Sequence, residues 1–143
     1  MSASQHPGSI VSLVRLTKLV YKQATDDVLG MKLKAYATLS NLRDGDLPQS
    51  DLCIAMHMDA NNCVLMLNHL EEHGWVERRR DPTDRRRHIV CLTEPGREAM
   101  LRAEVAMESL EGEVLGALSP EERDVLRGLL GRALAADSAA VAG

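Results

Sequence analysis

The side chains best able to do chemistry lie between Arg78 and Arg87. Of the 17 Lys and Arg residues, six fall in that stretch, as Arg78-Arg79-Arg80 and Arg85-Arg86-Arg87 around Asp81-Pro82-Thr83-Asp84. The chain as a whole is acidic, with a formal net charge of −4. Like charges so closely spaced repel one another unless a polyanion lies alongside. Duplex phosphates are such a polyanion, and release of their counterions drives the association.

Other residue sets offer less. His69 and His73 stand four apart, a spacing that can chelate zinc, and His57 and Cys63 are near in sequence. Cys63 falls on the far side of a helical wheel, however, and no acidic cluster completes a shell. No metal or other cofactor is expected. Cys53, Cys63 and Cys91 form neither a CxxC pair nor a disulfide framework, so buried, reduced structural thiols are expected. No Ser-His-Asp set, P-loop or GxGxxG is present, and nothing supports an enzyme. No run approaches 18 apolar residues, and MSASQHPGSI lacks a basic segment followed by an apolar one. A cytoplasmic protein is the expectation.

The elements that must position the arginines follow from periodicity and caps. The length, 143 residues, suits one domain, and 45% apolar residues can supply its core. With no Phe and few aromatics, that core is built from Leu, Val, Met and Ala, which suits packed helices. Residues 1–8 read as a frayed end. Apolar positions recur at helical spacing from Ser9 to about Leu29, ending at Gly30. A second helix is expected over Lys32–Leu42, then a loop at Asp44-Gly45-Asp46. Pro48 opens a short helix over Gln49–Met56. Asp59 is placed to N-cap the next helix, which reaches His73 and stops at a left-handed Gly74.

The period then changes. Trp75–Arg79 and Arg87–Leu92 read as strands joined by strong turn chemistry, Asp-Pro-Thr-Asp. Thr93 or Glu94 starts a long helix with Pro95 in its first turn and a stripe of Met100, Ala103, Met107, Leu110, Val114 and Leu118. Ser119-Pro120-Glu121-Glu122 reads as a capping box for a last helix to about Ala136, with Asp137–Gly143 a loose tail. Two short helices joined by a tight turn and followed by a hairpin make the order of a winged helix-turn-helix.

The same order, with the stretch LEEHGWVERRRDPTDRRRHIVCLTEPGREAM, resembles the MarR family of bacterial transcriptional regulators. The likeness is close over Gln49–Met100 and looser in the flanking helices. It rests on the acidic pair before Gly74, the Val-Glu-Arg strand, the Asp-x-x-Asp-Arg-Arg wing and Leu92-Thr93. It implies a mainly α fold: a single domain over 1–143, with a DNA-binding lobe at about 31–93. Long dimerisation helices at about 9–29 and 94–136 would flank it. It also implies a homodimer on a palindromic operator, acting as a repressor and released by a small molecule, anionic or aromatic.

Carried onto the residues, this expectation is specific. On the helix before Gly74, Cys63, Leu67 and Leu70 face the core. Asn61, Asn62, Leu65, Asn68 and His69 lie on the exposed arc, Asn suited to an adenine edge and Leu65 to a thymine methyl. In the wing, Asp84 would hold the guanidinium of Arg85 or Arg86 through paired hydrogen bonds, leaving the other to enter a minor groove. Arg78, Arg79, Arg80 and Arg87 would contact phosphates or stand as strand-edge charges. An effector pocket would draw on Arg15, Tyr21, Met31, Tyr36 and Met107. The alternative function is a winged-helix module that binds an acidic protein partner in place of DNA.

Overall fold

The computed structural model describes residues 7–142, and from position 137 onward its backbone alone. The expected frayed start therefore lies largely outside the described residues. The elements in chain order are α1 (Ser9–Gln23), α2 (Asp26–Leu29), α3 (Leu33–Ser40), β1 (Leu47–Pro48), α4 (Gln49–Ala55) and α5 (Ala60–Glu72). Then come β2 (Val76–Arg80), β3 (His88–Leu92), α6 (Glu94–Val114) and α7 (Pro120–Ala142).

The first helix does not run unbroken to Leu29. Ala24 still donates its N–H to the Val20 carbonyl, but its ψ of 61° leaves the helix. Thr25 is extended, and α2 then starts and ends at Gly30, whose φ of 76° closes it. The detour carries Leu29 and Met31 into the core, with α2 packed on α6. Burial of these apolar side chains outweighs the continuity that periodicity suggested.

The caps fall where the residue types put them. Asp59 accepts the Asn62 N–H at 2.8 Å at the start of α5. Gly74 is left-handed, at φ 74°. Ser119 and Glu122 exchange their reciprocal bonds, at 2.8 and 3.1 Å. Thr93 caps α6 by accepting from the Gly96 N–H at 3.0 Å, while its own hydroxyl donates to the Gly74 carbonyl at 2.6 Å. Gly96 has to be glycine: a Cβ there would collide with the Trp75 carbonyl. That contact fastens α6 directly to the end of α5. The last helix continues to Ala142 instead of ending near Ala136, so the expected loose tail is helical up to that residue. Ala139, Ala140 and Ala142 explain the extension, because Ala has the highest helix propensity.

Both hairpin strands start one residue later than the pattern suggested, the second still ending at Leu92, and they are not alone. β3 pairs antiparallel with β2, Val76 opposite Leu92 and Arg80 opposite His88. Its other edge takes β1, Leu47 opposite Val90. Two residues ahead of a helix leave no alternation to read, which is why β1 has no signature in the sequence. Beneath the sheet, Leu39, Leu42, Leu52, Leu67, Leu70, Val76, Val90 and Met100 are fully buried. Truncating one of these Leu residues to Ala costs ~2–5 kcal/mol, so the orientation of α5 is set by its Leu67 and Leu70 anchors.

Candidate nucleic-acid interface

Helix α5 presents the arc expected of it. Cys63, Leu67 and Leu70 are buried, while Asn61, Asn62, Leu65 and Asn68 face solvent and His69 is half-buried. Leu65 is 65% exposed, and Val64 beside it 39%. Asn61 makes no side-chain hydrogen bond to another described residue, so its amide is free. The other polar members are engaged. Asn62 donates from Nδ2 to Asp59 Oδ2 at 3.2 Å, extending the cap. Asn68 Oδ1 accepts from Arg78 at 2.6 Å. The His69 ring stacks on His73 at a centroid distance of 4.5 Å, and His73 stacks on Trp75 at the same distance. Among the described residues, no group of His, Cys, Asp and Glu is arranged to hold a metal ion.

The two arginine triplets part company. Arg78 bridges elements: Nε donates to Glu71 at 2.7 Å and Nη2 to Asn68, tying β2 to α5. Arg79 pairs with Asp46 at 3.0 Å. Arg80 donates to the Arg85 carbonyl at 3.1 Å and braces the wing tip. Each of the three thus has a protein partner, on the strand where phosphate contacts or strand-edge charges are expected. The distal triplet is open. Arg86 is 95% exposed, and the Arg85 guanidinium has no ion pair among the described residues. Arg87 is about half exposed, 3.7 Å from Asp81.

Asp84 does not clamp a guanidinium through paired hydrogen bonds. Its Oδ1 accepts the Arg86 backbone N–H at 3.1 Å, and Arg86 Nε stays 3.7 Å away. A carboxylate two residues before an N–H finds that donor within its own turn, and the local bond wins over a solvated side chain. Asp81 organises the other half of the tip. It accepts from Thr83 N–H at 2.8 Å and Thr83 Oγ1 at 2.7 Å. Those bonds, and then Arg87, hold its carboxyl below the ordinary carboxylate value.

A groove of about 390 Å³ brings wing and helix together. Gln49, Ser50, Cys53, Ile54, Ala60 and Val64 line it with Arg86, Arg87 and His88. Gln49, Ser50 and His88 escaped the sequence reading; polar residues opening α4 were the only available signal. His57, in the turn between α4 and α5, takes a positive φ of 54°, an uncommon conformation for a non-glycine residue.

The cysteines depart from expectation. Cys53 and Cys63 are joined as a disulfide, with Cα atoms 5.7 Å apart. The tight turn folds α4 back on α5, so positions ten apart in sequence meet across the helix pair. Cys91 is free and buried, and burial followed by Asp46 pushes its thiol up.

A second, larger cavity of about 610 Å³ lies among α1, α3, α6 and α7. Tyr21, Tyr36 and Met107 line it, together with Glu104, Glu108, Glu111 and Arg127. Met31 is instead core, 5% exposed, and Arg15 lies on the exposed face of α1 outside the lining. Arg43 pairs with Glu104 at 2.9 Å. Arg127 pairs with Glu111 and Asp124, at 3.2 and 2.7 Å. Burial, reinforced by Glu104, raises the Tyr36 hydroxyl above its ordinary value.

A helix pair, a three-stranded sheet with an arginine-tipped hairpin, and long flanking helices define a winged helix-turn-helix protein. The chain belongs to the MarR family, which it matches over residues 33–88. It is 33% identical over 119 residues to the uncharacterized HTH-type transcriptional regulator YdgJ of Bacillus subtilis, covering 77% of this chain and 73% of that one. A putative regulatory protein for the hcr operon of Thauera aromatica is 41% identical over 92 residues. That match takes in 64% of this chain and 55% of the relative's own length. A MarR family regulator from Streptomyces coelicolor, solved in complex with DNA, superposes with a TM-score of 0.72 at 26% identity. The superposition covers 87% of this chain and 81% of that one.

Proposed function

We propose that this protein binds a specific DNA site as a homodimer and regulates transcription from it. The observation that carries the reading is the placement of Asn61, Leu65, Arg85 and Arg86. All four are exposed, and only Arg86 has an ion pair, a long one of 3.7 Å to Asp84; they lie on two elements that border one groove. In this reading Asn61 and Leu65 meet base edges in the major groove, while Arg85 and Arg86 reach the adjacent phosphates or minor groove. Gln49 and Ser50, at the start of α4, are placed to bond a phosphate.

The second copy follows from apolar surface. Ile10, Val105, Val125 and Leu134 are each more than 60% exposed on α1, α6 and α7. Faces of that kind on long helices are stable in water when covered, and a second copy of the same helices covers them. Two-fold symmetry then makes the site palindromic, with half-sites about 34–36 Å apart. Repression is the regulatory direction proposed, by occlusion of a promoter.

The larger cavity is proposed as the effector site. Its carboxylates, and an arginine already paired, favour the aromatic over the anionic of the two expected ligand types, and one that is neutral or cationic. The deciding experiment is a mobility-shift assay of the purified protein against genomic fragments. A palindromic fragment retained at nanomolar protein supports the reading. Capture of an acidic protein with indifference to DNA supports the interaction-module alternative.

A further inference from the structure

The Cys53–Cys63 bond joins the two halves of the helix-turn-helix, and its sulfurs are not equivalent. Cys63 is 3% exposed, one residue beyond Asn62 and facing the core. Cys53 is half-buried and lines the groove shared with Arg86, Arg87 and His88. The Cys53 side is therefore the open end of the bond, and a thiolate entering the groove there passes two guanidinium groups that attract anions. We infer that this bond is a reversible staple on α5, opened by anionic low-molecular-weight thiols that enter the groove at Cys53.

The chemistry balances without a cofactor. A thiolate attacks Cys53 Sγ, forming a mixed disulfide, and Cys63 leaves as a thiolate that takes up a proton. A second thiolate attacks the mixed disulfide at the small-molecule sulfur and releases Cys53. Two thiols are oxidised to one small disulfide while the protein bond is reduced to two thiols. The reverse sequence, from the small disulfide, closes the staple. Disulfides in compartments that hold DNA are characteristically transient and redox-responsive, which favours a switch over a permanent brace.

The consequence for binding rests on the DNA reading above. With the staple closed, the first turn of α5, which carries Asn61, is pinned to α4. With it open, Leu67 and Leu70 still anchor the later turns, and the first turn is freer. The closed form is thus the better preorganised binder.

The test uses the full chain in glutathione redox buffers. Oxidised protein, once unfolded, exposes one free thiol (Cys91), and reduced protein exposes all three. Closing the staple raises the melting temperature by about 5 °C or more. Operator affinity is about fivefold or more tighter for the oxidised form. Cys63→Ala holds the lower affinity in every buffer, and Cys53→Ser does the same if the alanine variant folds poorly. Glutathione opens the bond severalfold faster than a neutral thiol of similar acidity at low salt, and that advantage vanishes at high salt. Three free thiols in oxidising buffer, or equal rates for the two thiols, would overturn the staple. Equal or tighter operator binding by the reduced form would overturn its regulatory role. If neither form binds any operator, the DNA reading itself fails, while thiol count, melting and rate still decide the staple.

Discussion

The triplets Arg78-Arg79-Arg80 and Arg85-Arg86-Arg87 are identical in composition and differ in their partners. The first is tied to protein partners at the surface: Arg78 to Glu71 and Asn68, Arg79 to Asp46, Arg80 to the wing backbone. The second projects from the turn, with Arg86 95% exposed. Strand geometry is the cause. Residues in β2 lie beside α5 and the loop before β1, where acceptors are within reach. Residues 85–87 lie beyond the last strand pair, where Asp81 and Asp84 are the ion-pair partners, and both carboxylates also bond the local turn. An arginine's partners, and not its presence, decide whether it holds the fold or meets a ligand.

The largest expected effect separates the two groups directly. Arg85→Ala with Arg86→Ala should lower operator affinity roughly a hundredfold at ~0.15 M salt, while melting shifts by less than about 1 °C. Titration by anisotropy, with a melting curve beside it, reads both. A large fall in melting temperature would place these residues with the structural triplet instead.

Next is the reader helix. Asn61→Ala should weaken binding by about 1–3 kcal/mol and relax preference at one base position, seen by selection from randomised sites. A uniform loss across all sequences would make Asn61 a backbone contact.

Smaller is Arg78→Ala. Its bridge is partly screened by solvent, so ~1 kcal/mol of stability and a few degrees of melting temperature are expected. Affinity should change less than about fivefold. Unaltered melting would mean that the ties of the first triplet carry nothing.

The smallest effect is the pH response of the tip. The folded Asp81 carboxyl titrates below its ordinary value of 3.8, so its stabilisation is complete above that value and is lost as pH falls through the lower, folded one. Asp81→Asn should flatten the decline of wing stability at acid pH, read by proteolytic nicking at residues 81–87. Identical acid profiles would remove Asp81 as the organiser.

Much of this architecture was legible from residue types. Asp59, Gly74, Thr93 and the Ser119–Glu122 pair mark helix ends through local hydrogen bonds, and local bonds are what a sequence displays. The stripe of Cys63, Leu67 and Leu70 announced which side of α5 is buried. What stayed hidden depends on chain segments meeting. The break at Ala24 carries neither Gly nor Pro and is bought by packing on α6. The Cys53–Cys63 bond needs the crossing of two helices. Glu71 and Asn68 claim Arg78 across seven and ten residues, a choice that no charge pattern reveals. The motif does not reveal that Asp84 takes the Arg86 backbone N–H at 3.1 Å, with the Arg86 guanidinium at 3.7 Å beside it.

The central claim is that, of the two arginine triplets, the distal one meets phosphates in the proposed DNA complex, and the salt dependence of operator binding tests it most directly. Plotted as log affinity against log salt, the slope should lose about 2–4 units in the Arg85→Ala, Arg86→Ala dimer and less than ~1 in Arg78→Ala. Equal losses in the two variants, or a greater loss from Arg78→Ala, would contradict the account.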